Sequence, residues 1–103
     1  MFTAKENRPM EVYDIQKIQL ASSWDRSALE SLLQNQGLRL DHDVETAFGV
    51  YETSGEEPKL VGCGCAAGAL LKCFALLPQL RGQNLLGRLV SALTQDRFAA
   101  GYY

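Results

Sequence analysis

Apolar side chains recur at helical spacing in two stretches of the chain, and the first predicts a helix over residues 24–36. Ser22 precedes this segment, and Asp25 follows three residues later, which is the spacing of a helix-capping signal. Gly37 supplies a stop, because glycine readily adopts the left-handed backbone that ends many helices. The apolar positions that define the helical face are Leu29, Leu32 and Leu33.

The second stretch predicts an amphipathic helix over residues 85–100, ended by Gly101. Its length of about four turns is ordinary for a helix that packs one face against a sheet. The side chains predicted to point inward are Leu86, Leu89, Val90 and Leu93.

Four further segments have the character of strands. Residues 69–77 are apolar on both faces except at Lys72, which predicts a central strand with Lys72 reaching the surface at one end. On the preceding strand Gly62 and Gly64 share one face, and this pattern predicts the close approach of another backbone or a ligand. The predicted strands are 11–20 (which also fits a first helix), 44–53, 59–67 and 69–77.

The order strand, helix, three strands, helix predicts a mixed, mainly antiparallel sheet flanked by helices, in the α+β or α/β class. With 103 residues the chain suits one small domain, assigned to residues 10–103 after a loose lead-in at 1–9. Tyr102 and Tyr103 are predicted to begin another strand, so the domain is expected to be truncated and incomplete at its C-terminus.

The charge is nearly balanced overall but unevenly distributed. Ten basic and twelve acidic residues give a net charge of −2, which offers no general attraction to nucleic acid or to an anionic membrane. Residues 1–58 carry −6 and residues 59–103 carry +4, so the second half is a candidate for a local anion site. A cytoplasmic protein is expected, since no apolar run reaches the length of a membrane span or a secretory core.

The three cysteines predict neither a disulfide framework nor a metal centre. An odd number in a chain without a signal peptide argues against structural disulfides. A zinc site would need four suitably spaced ligands, and His42, the single histidine, is far from the cysteines in sequence. Cys63 and Cys65 are therefore interpreted as small buried side chains on one face of a strand, and Cys73 as a core residue.

The loop between the last predicted strand and the second helix is the stretch most typical of a binding site. It places Arg81 and Gly82 just before a helix N-terminus, where unpaired N–H groups and the positive end of the helix dipole favour a phosphate. The spacing is neither that of a P-loop nor that of a dinucleotide-binding glycine motif. An ordinary strand-to-helix turn is the alternative interpretation.

The same loop resembles the pyrophosphate loop of the GNAT acetyltransferase superfamily, whose pattern is Q/R-x-x-G-x-G/A. Arg81 fits the first position, whereas Asn84 and Leu86 stand where small residues are usual. Asn84 is expected to preserve the turn, because asparagine tolerates left-handed backbone better than most residues. Gly87 is expected to offset the bulk of Leu86.

A more specific resemblance is to the N-terminal, GNAT-like domain of citrate lyase ligase. It is carried by the run Cys63-Gly64-x-x-Ala67-Gly68-x-Leu70-Leu71-Lys72-Cys73-x-Ala75-Leu76 followed by Arg81-Gly82. The resemblance implies an enzyme that uses ATP to acetylate the thiol prosthetic group of the citrate lyase acyl carrier protein. The ATP-using domain of that family is not in this sequence, so the chain alone is not expected to activate acetate.

The resemblance implies acetyl-CoA or phosphopantetheine as the bound group, and an acyl carrier protein or a small molecule as the acceptor. Two alternatives remain: a stand-alone N-acetyltransferase acting on an amine, and a non-catalytic module whose open sheet edge pairs with a partner or with a second copy as a homodimer. The implied cofactor-binding residues are Leu76, Leu77, Arg81, Gly82, Gln83, Asn84, Leu85, Leu86 and Gly87.

Catalytic residues are not identified by any motif. Glu45 is a weak candidate for a general base and Tyr51 for a proton donor, although a solvated acid and a packed aromatic are the favoured interpretations. His42 between Asp41 and Asp43 offers a second, weaker base.

Overall fold

The computed structural model describes residues 13–80 and 82–102. The predicted lead-in at 1–9, Arg81 and Tyr103 therefore lie outside the described residues. The elements of the described residues are β1 (Tyr13–Lys17), α1 (Ser23–Asn35), β2 (Thr46–Glu52), β3 (Lys59–Ala67), β4 (Leu70–Leu76) and α2 (Leu85–Ala99), and a 3-10 turn lies at Pro78–Leu80.

The four strands form one antiparallel sheet in the order β1-β2-β3-β4. This small α+β fold confirms the predicted class and is compatible with a GNAT-like domain. The prediction that the strand at 69–77 is central is wrong, because within the described residues β4 pairs with β3 alone. Its apolar character on both faces has another cause: one helix packs on each side of it.

The sheet separates two apolar clusters. On one face α1 packs against Ala47, Cys63 and Ala75 of three successive strands. On the other face α2 packs against Val50 and Leu76, whose side chains point the opposite way from those of Ala47 and Ala75 because strand side chains alternate. The fold is thus a sheet between two helices.

Helix α1 begins and ends as its sequence predicts. Ser22 has extended backbone, and its hydroxyl accepts a hydrogen bond from the N–H of Asp25 at 3.4 Å. At the other end Gly37 is left-handed, with φ +75°, and Leu38 donates its N–H to the carbonyl of Leu33 at 2.8 Å. This turn stops the helix and fixes the position of Leu38 immediately after it.

Helix α2 buries a different set of residues from the predicted one. Its fully buried side chains are Leu85, Leu89 and Leu93, spaced by one helical turn each. Leu86 and Val90 were expected inside but are 50% and 39% exposed. They lie about 100° to 140° around the helix from Leu85, on a flank that the sheet does not cover.

The paired glycines of β3 make room mainly for side chains, and at Gly62 the backbone carbonyl oxygen of Ala75 also lies 3.3 Å from an added Cβ. A Cβ atom added at Gly64 would lie 2.5 Å from a ring carbon of Phe74 and 2.9 Å from a methyl group of Leu93. One added at Gly62 would lie 2.5 Å from a methyl group of Leu76. The absence of side chains at these positions therefore lets β4 and α2 pack closely over the middle of the sheet.

Part of the uneven charge is paired between the two halves of the chain. Lys72 pairs with Asp41 at 2.9 Å and with Asp43 at 3.2 Å, while Arg97 pairs with Glu45 at 3.1 Å. Two of the bases that make the second half positive thus neutralise acids of the first half. In the described part of the chain no helix is long and apolar enough to cross a membrane.

Candidate functional site

The start of α2 has left-handed backbone at two residues. Gly82 has φ +92° and Asn84, the residue that precedes the helix, has φ +61° and ψ +19°. The expectation that Asn84 takes a left-handed conformation is confirmed. Unlike Ser22 at the start of α1, Asn84 makes no capping hydrogen bond through its side chain. The first N–H groups of α2 are therefore not capped by this residue.

The side chain of Asn84 instead lies across Gly87. Its carbonyl oxygen is 2.6 Å from the position that a Cβ atom would take at Gly87, so this glycine makes room for the amide of Asn84. That role differs from the expected one, which was to offset the bulk of Leu86. Around Gly82, apart from its neighbours in the chain, no described atom lies within 4 Å of an added Cβ.

Beside this loop is a cavity of about 670 Å³ along the edge of β4 that has no partner strand among the described residues. It opens between the C-terminal end of α1 and the N-terminal end of α2. A volume of this size falls in the range that holds small molecules and cofactors, about 300–1,000 Å³. The lining residues are Gln36, Leu38, Phe74, Ala75, Leu76, Gly82, Asn84, Leu85, Leu86 and Gly87.

Six of the nine implied cofactor-binding residues line this cavity, namely Leu76, Gly82, Asn84, Leu85, Leu86 and Gly87. Leu77 packs against the apolar clusters instead, and Gln83 is not among the lining residues. Arg81, the implied source of positive charge, falls outside the described residues.

Four residues of the wall were missed by the sequence reasoning: Gln36, Leu38, Phe74 and Ala75. Phe74 was detectable indirectly, since the glycine opposite it on β3 indicated that something large lies there. Gln36 and Leu38 lie in the turn after α1, which is far from the loop in sequence, so no local pattern connects them with it.

An irregularity in β4 lies next to the cavity. Its pairing with β3 shifts register between Cys63 and Cys65, and Cys73 has φ +58°, which is rare for a residue with a side chain. The thiol of Cys73 lies 3.7 Å from the carbonyl oxygen of Arg39. Burial raises the pKa of Cys73, which disfavours the thiolate that a nucleophile would need.

The other two cysteines are inert core residues, as predicted. Cys63 and Cys65 are fully buried beneath α1. The hydrogen bond with Cys63, together with burial, raises the pKa of Cys65. Within residues 13–80 and 82–102 no three histidine, cysteine or acidic side chains are grouped as metal ligands.

The two candidate catalytic residues lie away from the cavity. Glu45 immediately precedes β2 rather than lying in it, and it accepts hydrogen bonds from Arg97 and from the N–H of Gly68. Arg97 is in the last turn of α2, so Glu45 is about 20 Å from the start of that helix. Tyr51 is in β2, where burial and the charge of Asp25 raise its pKa. Neither lines the cavity.

The two acids beside His42, Asp41 and Asp43, form ion pairs with Lys72. The hydrogen bond from Lys72, together with its charge, lowers the pKa of Asp41, and the same ammonium group donates to Asp43. The described lining of the cavity contains no ionisable side chain, and its polar side chains are the two amides of Gln36 and Asn84. These residues suit binding rather than proton transfer.

Two curated proteins are similar to this chain in sequence, and both are citrate (pro-3S)-lyase ligases. The chain is 34% identical over 76 residues to that of Klebsiella pneumoniae, which is 74% of the chain and 21% of the relative. It is 36% identical over 53 residues to that of Escherichia coli, which is 52% of the chain and 15% of the relative. The chain thus spans about a fifth or less of the curated relatives it matches.

No protein-family model and no solved structure matches the chain. The names of the two curated relatives agree with the resemblance predicted from the β3–β4 hairpin and the Arg81-Gly82 loop. The resemblance is confirmed: over about three quarters of its length, this chain is similar in sequence to citrate lyase ligase.

Proposed function

We propose that this chain binds coenzyme A or a phosphopantetheine group, with the phosphates at the start of α2 and the acyl thioester in the cavity beside β4. The observation that carries the proposal is the left-handed start of α2 at Gly82 and Asn84, which opens onto a cavity of about 670 Å³. The bound group supplies an activated acyl thioester. The residues of this chain hold and orient it.

The N-terminal end of α2 supports the phosphate part of the proposal. Its helical N–H groups are not capped by Asn84, and the open space around Gly82 allows an anion to approach the backbone closely. Arg81 adds a positive charge next to Gly82 in the sequence. An anion placed here gains both hydrogen bonds and the favourable helix dipole.

The free edge of β4 supports the thioester part. Within the described residues β4 has no partner strand on its outer side, and Phe74, Ala75 and Leu76 of this strand line the cavity. An extended chain that contains amide groups, such as the pantetheine arm, matches the hydrogen-bonding pattern of a strand edge.

The similarity to citrate lyase ligase supports a role in acetyl transfer or ligation. On this proposal the chain positions the thiol arm of an acyl carrier protein of citrate lyase. A stand-alone N-acetyltransferase is not favoured, because neither Glu45 nor Tyr51 lines the cavity and its described lining supplies no proton-transfer group.

Isothermal titration of the full chain with acetyl-CoA tests the proposal, with pantetheine as a probe that lacks the phosphates. We expect saturable binding of acetyl-CoA, about tenfold or more tighter than binding of pantetheine. A phosphopantetheinylated carrier protein is expected to bind as well. No heat with acetyl-CoA and none with the carrier protein would refute the proposal.

A pair of substitutions at one position sharpens this test. Asn84→Gly keeps the left-handed backbone and is expected to retain the affinity for acetyl-CoA. Asn84→Val disfavours that backbone and is expected to weaken binding about tenfold. Arg81→Ala is expected to weaken binding to a similar extent. If all three variants bound acetyl-CoA as tightly as the unmodified chain, the ligand would not bind at the start of α2.

A further inference from the structure

A second cleft lies on the other flank of the start of α2, between this helix and β1. It has a volume of about 510 Å³, and Ile15 of β1 forms part of its wall. Asn84 and Gly87 line both this cleft and the cavity beside β4. A ligand whose middle lies over the start of α2 can therefore extend in two directions, towards β4 and towards β1.

The helix side of this cleft is polar, unlike the leucines and phenylalanine of the cavity beside β4. Arg88, Ser91 and Gln95 line it, and their spacing of three and four residues places them on one face of α2. The described lining contains no acidic side chain. The cleft is therefore suited to an anionic group.

The described fold leaves the positive charge of Arg88 unpaired. Its side chain is half-buried, and no described acid forms an ion pair with it, whereas Lys72 and Arg97 are both paired. A half-buried guanidinium loses part of its hydration without gaining a partner. Its position in the second turn of α2 adds to this cost, because the positive end of the helix dipole repels a cation. A bound anion would offset both costs.

The side chain of Arg88 covers the start of the helix. The Cα–Cβ bonds of an α-helix tilt towards its N-terminus, so Arg88 extends over the turn that begins at Asn84, whose carbonyl accepts the Arg88 N–H at 3.2 Å. One turn of helix rises about 5.4 Å, so the guanidinium is close to the phosphate position proposed above, on the side of the β1 cleft. In coenzyme A the pantetheine arm and the ribose 3′-phosphate likewise lie on opposite sides of the diphosphate.

We infer that the cleft between α2 and β1 holds the nucleotide end of coenzyme A, with Arg88 binding the ribose 3′-phosphate. The inference rests on the proposed function, since it concerns the other end of the same ligand. A phosphopantetheine group has one phosphate and no nucleotide, so it does not reach Arg88. The cleft therefore distinguishes nucleotide-bearing thioesters from simple phosphopantetheine thioesters, while the acetyl group stays in the cavity beside β4.

Titration of the full chain with acetyl-CoA, its 3′-dephospho form and S-acetyl phosphopantetheine provides the test. Loss of the 3′-phosphate is expected to weaken binding about tenfold, because it removes a charge-assisted contact. S-acetyl phosphopantetheine is expected to bind more weakly still. If either analogue bound as tightly as acetyl-CoA, the inference would be overturned and the proposed function would stand. Binding of none of the three would overturn both.

Substitutions in the cleft assign the preference for the 3′-phosphate to Arg88. Arg88→Gln is expected to weaken binding of acetyl-CoA about tenfold and to leave the affinity for the 3′-dephospho form unchanged. Ser91→Asp, at an exposed position on the same helix face, adds a negative charge and is expected to reduce the preference about fivefold or more. Lys59→Gln is the control, because it removes the same charge at the start of β3, outside the lining of the cleft.

The control variant is expected to keep the preference of the unmodified chain. A purely structural role for Arg88 would instead weaken binding of both ligands equally in Arg88→Gln. That result would overturn the inference, and so would an unchanged preference in both cleft variants with folding verified by circular dichroism.

Discussion

The two ends of α2 differ in how well their polar groups are satisfied. At the C-terminal end the guanidinium of Arg97 donates to Asp96 at 2.7 Å, to Glu45 at 3.1 Å and to the carbonyl of Gly68 at 3.4 Å. The same group lies 5.2 Å from the centre of the Tyr102 ring. At the N-terminal end Asn84 offers no side-chain cap, and the adjoining space is an open cavity.

This difference indicates that one end of α2 contributes to stability and the other end to ligand binding. The C-terminal end is fastened to the sheet by paired charges, which leaves little for a ligand to bind. The N-terminal end keeps its hydrogen-bonding capacity and its dipole available at the edge of β4. We therefore expect substitutions at the first end to change stability, and substitutions at the second to change ligand affinity.

The largest expected effect on the free energy of unfolding comes from truncating a buried leucine near either end of α2. Leu93→Ala is expected to destabilise the fold by about 3–4 kcal/mol, because it leaves a closed void under α2. Leu85→Ala is expected to cost about 2 kcal/mol, because Leu85 lines the open cavity and the space it vacates is accessible to water. Urea denaturation measures both losses in the free energy of unfolding. Equal losses would contradict the proposal that the void is closed at one end of α2 and open at the other.

The next largest effect is expected when the charge of Arg97, which joins the C-terminal end of α2 to the rest of the fold, is removed. Arg97→Met is expected to destabilise the fold by about 1–2 kcal/mol, since it leaves Asp96 and Glu45 without this partner. Arg26→Met is the control, because among the described residues Arg26 pairs with Glu30 on the exposed face of α1, and its loss is expected to cost less than about 0.5 kcal/mol. If acetyl-CoA affinity changed more in the Arg97 variant than stability did, the division between the ends would be wrong.

The start of α2 is expected to respond to backbone preference. Asn84→Val forces a branched side chain into left-handed backbone and is expected to cost about 1–2 kcal/mol. Asn84→Gly relieves that restriction and is expected to be neutral within a few tenths of a kcal/mol. Thermal unfolding of the two variants checks this, and a similar loss in both would show that the Asn84 side chain, not its backbone, stabilises the turn.

The smallest effect is the acid sensitivity of the C-terminal end. Burial acts to raise the pKa of Asp96, but hydrogen bonds from Arg97 and Lys17 outweigh it, and the pKa is lowered overall. A carboxyl group with a lowered pKa in the folded state contributes stability that is present above about pH 4, its unfolded value, and lost as the pH falls through the folded value. Asp96→Asn is expected to flatten this decline by less than about 1 kcal/mol, measured by urea denaturation between pH 5 and pH 3.

Much of the fold could be predicted because its signals are local. The cap at Ser22, the stop at Gly37 and the continuous strand Lys59–Ala67 are each specified within a few residues, and the structure confirms them. The edge position of β4 could not be predicted, because an edge strand covered by a helix on each face has the same apolar pattern as a central strand.

The candidate site likewise has one part that a local sequence pattern predicts and another part that no local pattern predicts. The loop from Gly82 to Gly87 carries a sequence pattern, so its left-handed turn could be predicted at Asn84. The opposite wall, at Gln36 and Leu38, lies in the turn after α1, about fifty residues earlier in the sequence, and only the packing of α1 on the sheet brings it to the cavity. The left-handed conformation of Cys73 had no signal, since cysteine has no preference for it.

The ion pairs that join the two halves of the chain also bear on how it folds during synthesis. Residues 1–58 leave the ribosome first with a net charge of −6, before Lys72 and Arg97 are available to pair with Asp41, Asp43 and Glu45. Early folding of this acidic segment is opposed by its own repulsion, and the closing contacts span 29 to 52 residues. Salt screens that repulsion, so we expect the acidic segment to become more compact before folding as ionic strength rises.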